Sequence, residues 1–192
     1  MATTQQMGLG KLGGSSIIFK RKFRWTFQVT SQCTAIGSIP AYFVKLASRP
    51  NISFEETEIN FLNAKDWIPG KATWETITVT YYDIASQDMK PLYNWLSSVY
   101  NFSSTDQTKY AQMGTKKSDY ACTGTLTMFD GSGNPLEEWT LNNMWPQAIN
   151  FGDLDYSTSE ESTIELTLRY SDVQYKSLCP AFTPEGCITG CN

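Results

Sequence analysis

Residues 163–170 read TIELTLRY, and their alternation is strict. Ile164, Leu166, Leu168 and Tyr170 share one parity and Thr163, Glu165, Thr167 and Arg169 the other. That is the period-two signature of a strand with one face in a core and one in water. Such a strand cannot bury its aliphatic row alone, so the rest of the chain must supply a sheet for it. The stretch ahead of it, residues 145–159, holds Pro146, Gly152, Asp153, Asp155 and Ser157. These residues fix or bend the backbone, so a turn-rich lead-in is expected there.

Other runs repeat the period. Residues 74–82, WETITVTYY, set Glu75, Ile77, Val79 and Tyr81 against Trp74, Thr76, Thr78, Thr80 and Tyr82. Over residues 18–30, Phe19, Phe23, Trp25, Phe27 and Val29 share a face, with Lys20, Lys22, Arg24, Thr26 and Gln28 opposite. Arg21 breaks the apolar row, so that end is expected to leave the core. Residues 41–48 read as a further strand. Residues 53–61 alternate poorly around Glu55, Glu56 and Glu58, and residues 61–71, FLNAKDWIPGK, read as an exposed loop. A loop displaying Phe61, Leu62, Trp67 and Ile68 either folds back on its own domain or docks on another molecule.

One helix is expected over residues 86–102, where Met89, Leu92, Leu96 and Val99 fall at helical spacing beside Trp95. Ser86 or Asp88 can cap it, and Pro91 fits only its first turn. Residues 119–128 and 136–141 read as a hairpin around DGSGNP. The expected fold is mainly β: an antiparallel β-sandwich or small barrel with one packed α-helix. Residues 1–16 read as a flexible arm, 17–175 as one β domain, and 176–192 as an extended tail.

Several chemistries are excluded by residue type. The 192 residues contain no histidine, which removes Ser-His-Asp and Cys-His machinery. GLGKLGG near the N-terminus follows no strand and opens no helix, so it is no phosphate cradle. The carboxylate pairs Asp153/Asp155 and Glu160/Glu161 read as turn and surface residues rather than a glycosidase pair. Cys179, Cys187 and Cys191 crowd the end without a Cys-x-x-Cys spacing, so no metal or other cofactor is expected. A late disulfide within or between tails is a hypothesis for these three thiols. No apolar run reaches membrane-spanning length and no signal-peptide core opens the chain, so a soluble product of a cytoplasm is expected.

Charge is unevenly placed. Up to Phe54 there are seven bases and no acid, so the remainder holds all 19 acids and 15 − 7 = 8 bases. A basic first quarter fits nucleic-acid contact or, better, a match to acidic surface on its own or a neighbouring subunit.

The tryptophan-proline pair at Trp145, the GDLDY segment at residues 152–156 and the alternating strand that follows resemble the tail tube proteins of contractile-tailed bacteriophages. Residues 19–29, 74–82 and the Trp-Leu pair at Trp95 extend the resemblance in order. It implies a structural protein rather than an enzyme: hexameric rings whose strands close one ring-wide β-barrel, stacked into a tube that conducts viral DNA. Sheath, baseplate and tail terminator proteins would be its partners, and the virion its location. It further implies that residues 61–68 stack rings. Because phosphate contacts to bases would hold DNA, the lumen is expected to be threonine- and carboxylate-lined. Thr76, Thr78 and Thr80, or Glu161, Thr163, Glu165 and Thr167, are the candidate faces, with Lys20, Lys22 and Arg24 turned outward or to an adjacent subunit. The inner tube of a bacterial contractile injection system, carrying effectors, is the alternative. A carbohydrate-binding β-sandwich, with exposed aromatics as a sugar platform, is the alternative outside that class.

Overall fold

The computed structural model describes residues 20–31, 36–106, 108–109 and 111–178. The arm over 1–16, Cys33, Cys179, Cys187, Cys191 and the tail beyond residue 178 lie outside the described residues.

Among the described residues ten strands dominate: β1 (Trp25–Ser31), β2 (Ser38–Ile39), β3 (Val44–Ala47), β4 (Ile52–Phe61), β5 (Ala64–Trp74), β6 (Ile77–Tyr82), β7 (Cys122–Phe129), β8 (Pro135–Asn150), β9 (Thr163–Arg169) and β10 (Asp172–Ser177). Eight of them pair in the order β2-β1-β7-β8-β9-β6-β3 with β10 joined to β8, and β4 and β5 form a separate pair. The ladders β1–β2, β3–β6, β6–β9, β8–β9 and β4–β5 are antiparallel. The fold is thus mainly antiparallel β, as the alternation required, and the strand order is open at β2 and β3.

The chain divides into two compact units. The larger comprises Thr26–Leu126 and Trp139–Gln174. Its core is the row foreseen in β9, with Ile164, Leu166 and Leu168 buried, set against Ile77, Val79 and Tyr81 of β6. Register makes the match: Ile77 faces Leu168, Val79 faces Leu166 and Tyr81 faces Ile164. Each aliphatic side chain buried this way contributes about 1.5–3 kcal/mol. The helix α1 (Lys90–Val99) adds Leu92, Trp95 and Leu96 to that core. A 3-10 turn, Gln87–Met89, leads into it, and the Ser86 hydroxyl accepts the Asp88 amide at 3.2 Å. The Trp95 indole donates to the Tyr120 carbonyl at 2.8 Å, so its one polar atom is not stranded.

The smaller unit comprises the described residues up to Trp25, Thr127–Glu138 and the described residues from Tyr175. Met128 and Leu136 are buried in it together with Glu137, whose carboxylate pairs with Lys20. The turn between β7 and β8 is built on Asp130, whose carboxylate accepts the Ser132 and Asn134 amides at 2.7 and 2.8 Å.

Five expectations need correcting. Residues 145–150 are not a turn-rich lead-in but the end of β8, which runs for 16 residues. It tolerates Pro146 because the register slips between Pro146 and Ala148, where no ladder hydrogen bond is required of the missing N–H. Asn143, at φ 52, bends the same strand. Residues 74–82 are not one strand: Trp74 closes β5, Glu75 and Thr76 connect, and β6 begins at Ile77. Residues 64–71 are not a loop but most of β5. Residues 20–24 do not extend β1; the Arg24 amide donates to the Arg21 carbonyl at 3.2 Å and turns the chain. Finally, the first two residues of the expected tail, Lys176 and Ser177, complete a strand, β10, where only extended chain was expected.

Candidate functional site

The β6–β9 ladder brings two candidate faces together as one. Thr78 lies opposite Thr167, Thr80 opposite Glu165 and Tyr82 opposite Thr163. Directly opposed residues of antiparallel strands share a side of the sheet, so the two rows form one polar surface on the reverse of the core. Neighbouring strands extend it, with Ala148 and Asn150 of β8 beside Thr167 and Glu165, and Leu46 of β3 beside Thr80. Thr76 and Glu161 fall outside this ladder, in the connector before β6 and in the loop before β9. The face is not free of bases: Arg169 ends the β9 row opposite Trp145, and the Lys45 ammonium sits 5.4 Å from the Tyr82 ring centre.

The hairpin β4–β5 is the second feature. Every residue of it is exposed except Trp74 at its base, which contacts Tyr170 with ring centres 6.3 Å apart. Its register divides the four residues singled out from the sequence. Thr57 faces Ile68, Ile59 faces Asp66 and Phe61 faces Ala64 on one side; Glu58 faces Trp67 and Asn60 faces Lys65 on the other. Phe61 and Ile68 therefore share a side with Ile59, which sequence reasoning passed over. Trp67 lies on the reverse, beside a Lys65–Glu58 ion pair of 2.7 Å. Leu62 forms the two-residue tip with Asn63 at φ 53, a left-handed conformation that usually goes to glycine or asparagine. At β5's irregularity Gly70 passes so close to Glu55 that a Cβ would sit 3.1 Å from its carbonyl oxygen.

The basic residues Lys20, Lys22 and Arg24 share no strand face, because their segment is a turn. Lys20 pairs with Glu137, and the Arg24 guanidinium lies 5.3 Å from the Phe23 ring centre. The loop at residues 151–162 contains the turn formers Gly152, Asp153, Asp155 and Ser157 of the lead-in expected over 145–159. It also displays Leu154 and Tyr156 to solvent, and the presence of large apolar side chains among Asp153, Asp155, Glu160 and Glu161 was the available signal. Asp155 accepts the Ser157 amide and hydroxyl at 2.9 and 2.7 Å. Those bonds, the amide first, hold its carboxyl below the usual range and mark it as a turn former. Among the described residues no three His, Cys, Asp or Glu side chains converge on a metal position, and no helix is long and apolar enough to cross a membrane.

The described residues thus combine a largely antiparallel sheet that has a polar, threonine-rich reverse side with an exposed, apolar-tipped hairpin. The family described as T4-like virus tail tube protein gp19 matches residues 24–174, and the chain belongs to it: it is a structural tail tube protein of contractile, phage-like systems. Its fold is similar to a chain of the PVC sheath-tube complex, an extracellular contractile injection system in the extended state. There the TM-score is 0.60 at 16% identity, covering 93% of this chain and 100% of that one. It is also similar to a chain of the anti-feeding prophage baseplate (TM-score 0.63, 12% identity, 86% and 98% covered). The SPP1 tail tube gives a TM-score of 0.50 at 12% identity, with 91% and 87% covered. No curated protein matches in sequence. The family match displaces the carbohydrate-binding reading.

Proposed function

We infer that six copies of this chain close into a ring, that rings stack into the inner tube of a tail, and that the channel conducts viral DNA into the host. The polar face shared by Thr78, Thr80, Thr163, Glu165 and Thr167 carries this reading. Hydroxyls present no fixed positive charge to a passing phosphate, whereas each Lys or Arg contact would release counterions and hold the DNA. Lys45 is engaged with Tyr82 and Arg169 lies at the end of its row, so the middle of the face is left to threonines and one carboxylate. The ends of the strand order, β2 and β3, are the edges that neighbours would complete, which blunts their tendency to pair indiscriminately.

Ring closure would use heterologous contacts related by rotation, and stacking a second such contact along the axis. Lys20, Lys22 and Arg24 belong at an outer or inter-subunit surface, with the tip of the hairpin at the stacking surface. Sheath, baseplate and terminator proteins would meet the outside and the ends, and the arm (1–16) and tail (176–192) would reach neighbouring rings or the sheath. Assembly would take place in the host cytoplasm. Leu46 and Tyr82 on the lining face favour a second reading, an injection-system tube passing protein effectors, since duplex DNA gains nothing from apolar wall. Negative-stain microscopy of the purified protein tests the common part: rings or tubes are expected, and a monodisperse monomer at high concentration would end it.

A further inference from the structure

Two turns of opposite charge each display an aromatic ring to solvent. The first spans Lys20, Arg21, Lys22, Phe23 and Arg24, four bases and no acid in five residues. The Arg24 amide donates to the Arg21 carbonyl at 3.2 Å, so Lys22 and Phe23 are the central residues of a closed turn. Lys20 is held by Glu137, and the Arg24 guanidinium lies over the Phe23 ring. Arg21 and Lys22 are exposed and make no ion pair among the described residues, and Phe23 is 75% exposed. The second turn lies in residues 151–162, which hold Asp153, Asp155, Glu160 and Glu161 and no base. The Thr158 amide donates to the Asp155 carbonyl at 3.5 Å, and the Asp155 carboxylate accepts from Ser157, so Tyr156 is held inside a turn of its own. Tyr156 is fully exposed and Leu154 nearly so. Asp153, Glu160 and Glu161 are exposed and make no ion pair among the described residues.

Folding gives no reason for either ring, because serine or asparagine would hold the same backbone without placing an aromatic face in water. Rings set among charges are what the centre of a protein–protein contact uses: they bury much area and fix few torsions. Within each turn the like charges also repel, and only opposite charge brought from outside removes that repulsion. Each turn offers the other what it lacks: three carboxylates against two bases, with one ring on either side. Both are exposed in the single copy, so the match is one between copies. Two complementary surfaces on one chain make a heterologous contact, which repeats from copy to copy. Exposed ion pairs are weak one at a time and are screened by salt, so this contact holds where many copies act together and loosens as ionic strength rises.

We propose that the acidic turn around Tyr156 in one copy of this chain seats on the basic turn around Phe23 in a second copy, the rings forming the centre and the charges setting the orientation. This rests on the ring-and-tube reading, which requires copies to meet, and gives Arg21 and Lys22 a defined partner surface. Lys20 and Arg24, engaged within their own chain, take no part.

The test follows full-length chains by sedimentation and negative-stain microscopy when concentrated, and by thermal unfolding at dilution. Arg21→Glu with Lys22→Glu makes both turns acidic; Asp153→Lys with Glu160→Lys and Glu161→Lys makes both basic. Each variant is expected to unfold at the wild-type temperature, yet to lose at least tenfold in sedimenting assemblies. Mixed one to one, they should recover to within twofold of wild type, because each then meets an opposite charge on both of its turns. Tyr156→Ser should lose at least threefold with unfolding unchanged. Normal assembly of either reversed variant alone would overturn the contact and leave the reading intact, and so would folded variants that fail both alone and mixed. Wild-type binding to vesicles of anionic phospholipid or to a short DNA duplex, lost in Arg21→Glu with Lys22→Glu while assembly stays normal, would hand the basic turn to that partner instead. A wild type that forms no assembly would overturn the reading on which the contact rests, and the contact with it.

Discussion

The β6–β9 ladder and the β4–β5 hairpin are both antiparallel, both alternate, and meet opposite fates. In β6 and β9 one parity is apolar without exception, and register sets Ile77, Val79 and Tyr81 against Leu168, Leu166 and Ile164. That side is buried and the other is wet. In β4 one parity runs Ile52, Phe54, Glu56, Glu58 and the other Ser53, Glu55, Thr57, Ile59, Phe61. Neither can enter a core without taking a carboxylate with it, and burying an unpaired charge costs several kcal/mol. The same period therefore gives stability where a row is uniformly apolar and a displayed surface where it is mixed. Alternation sets the strand; uniformity of the row decides what the strand is for.

The sharpest break between the two is a large-to-small substitution in each. Leu166→Ala removes side-chain volume from a fully buried position and should cost about 2–5 kcal/mol. Ile59→Ala in the hairpin should change the unassembled chain by no more than about 0.5 kcal/mol. Urea unfolding of both variants checks this. Equal losses would mean that the hairpin contributes to the fold and is not reserved for partners.

What could be read from residues alone follows the same division. β9, the buried face of β6 and helix α1 were legible because each apolar row is complete, and a complete row leaves one orientation. The pairing of Thr78 with Thr167 was not, since register between strands some 90 residues apart is a tertiary fact. The hairpin was half seen. Phe61, Leu62, Trp67 and Ile68 stood out as displayed apolar residues, but residues 61–71 read as one exposed loop, whereas Ala64–Trp74 is a strand that slips in register against β4 beside Pro69 and Gly70. With β5 unrecognised, nothing could divide Trp67 from Phe61 or bring Ile59 into their company. β8 was cut short for a related reason: Pro146 forbids a regular ladder, not one that slips at that residue.

A smaller effect separates the interior of the core from its display side by pH. Among the described residues the hydroxyls of Tyr81 and Tyr170 are buried without a hydrogen-bond partner. Burial pushes both upward in pKa, Tyr170 from 10.0 to about 12, with Arg169 opposing and Glu75 adding to the rise. An unfolded tyrosine loses its proton near 10 while the folded one keeps it, so the folded state binds more protons between those values. Stability is therefore complete below pH 10 and is lost as pH climbs toward 12. Tyr81→Phe and Tyr170→Phe should each gain about 1 kcal/mol at neutral pH, because an unmade hydrogen bond is removed with its donor. The pair together should flatten the alkaline loss. An unchanged alkaline profile in the double variant would assign that loss to other groups.

The smallest effect tests whether the hairpin's reverse side holds any energy of its own. The Lys65–Glu58 pair crosses the ladder at 2.7 Å, but its side chains are 59% and 37% exposed. Solvent screens such a pair to about 0.2–0.5 kcal/mol, and at 1 M salt the screening length falls to about 3 Å, close to the separation itself. Glu58→Gln should therefore lower the stability of the unassembled chain by that amount at low ionic strength and by nothing measurable at 1 M salt, while Leu166→Ala keeps its full cost in both. A loss from Glu58→Gln that survives high salt would mean that this side is packed against something dry, and the contrast between a buried ladder and a displayed hairpin would have to be redrawn around Trp67.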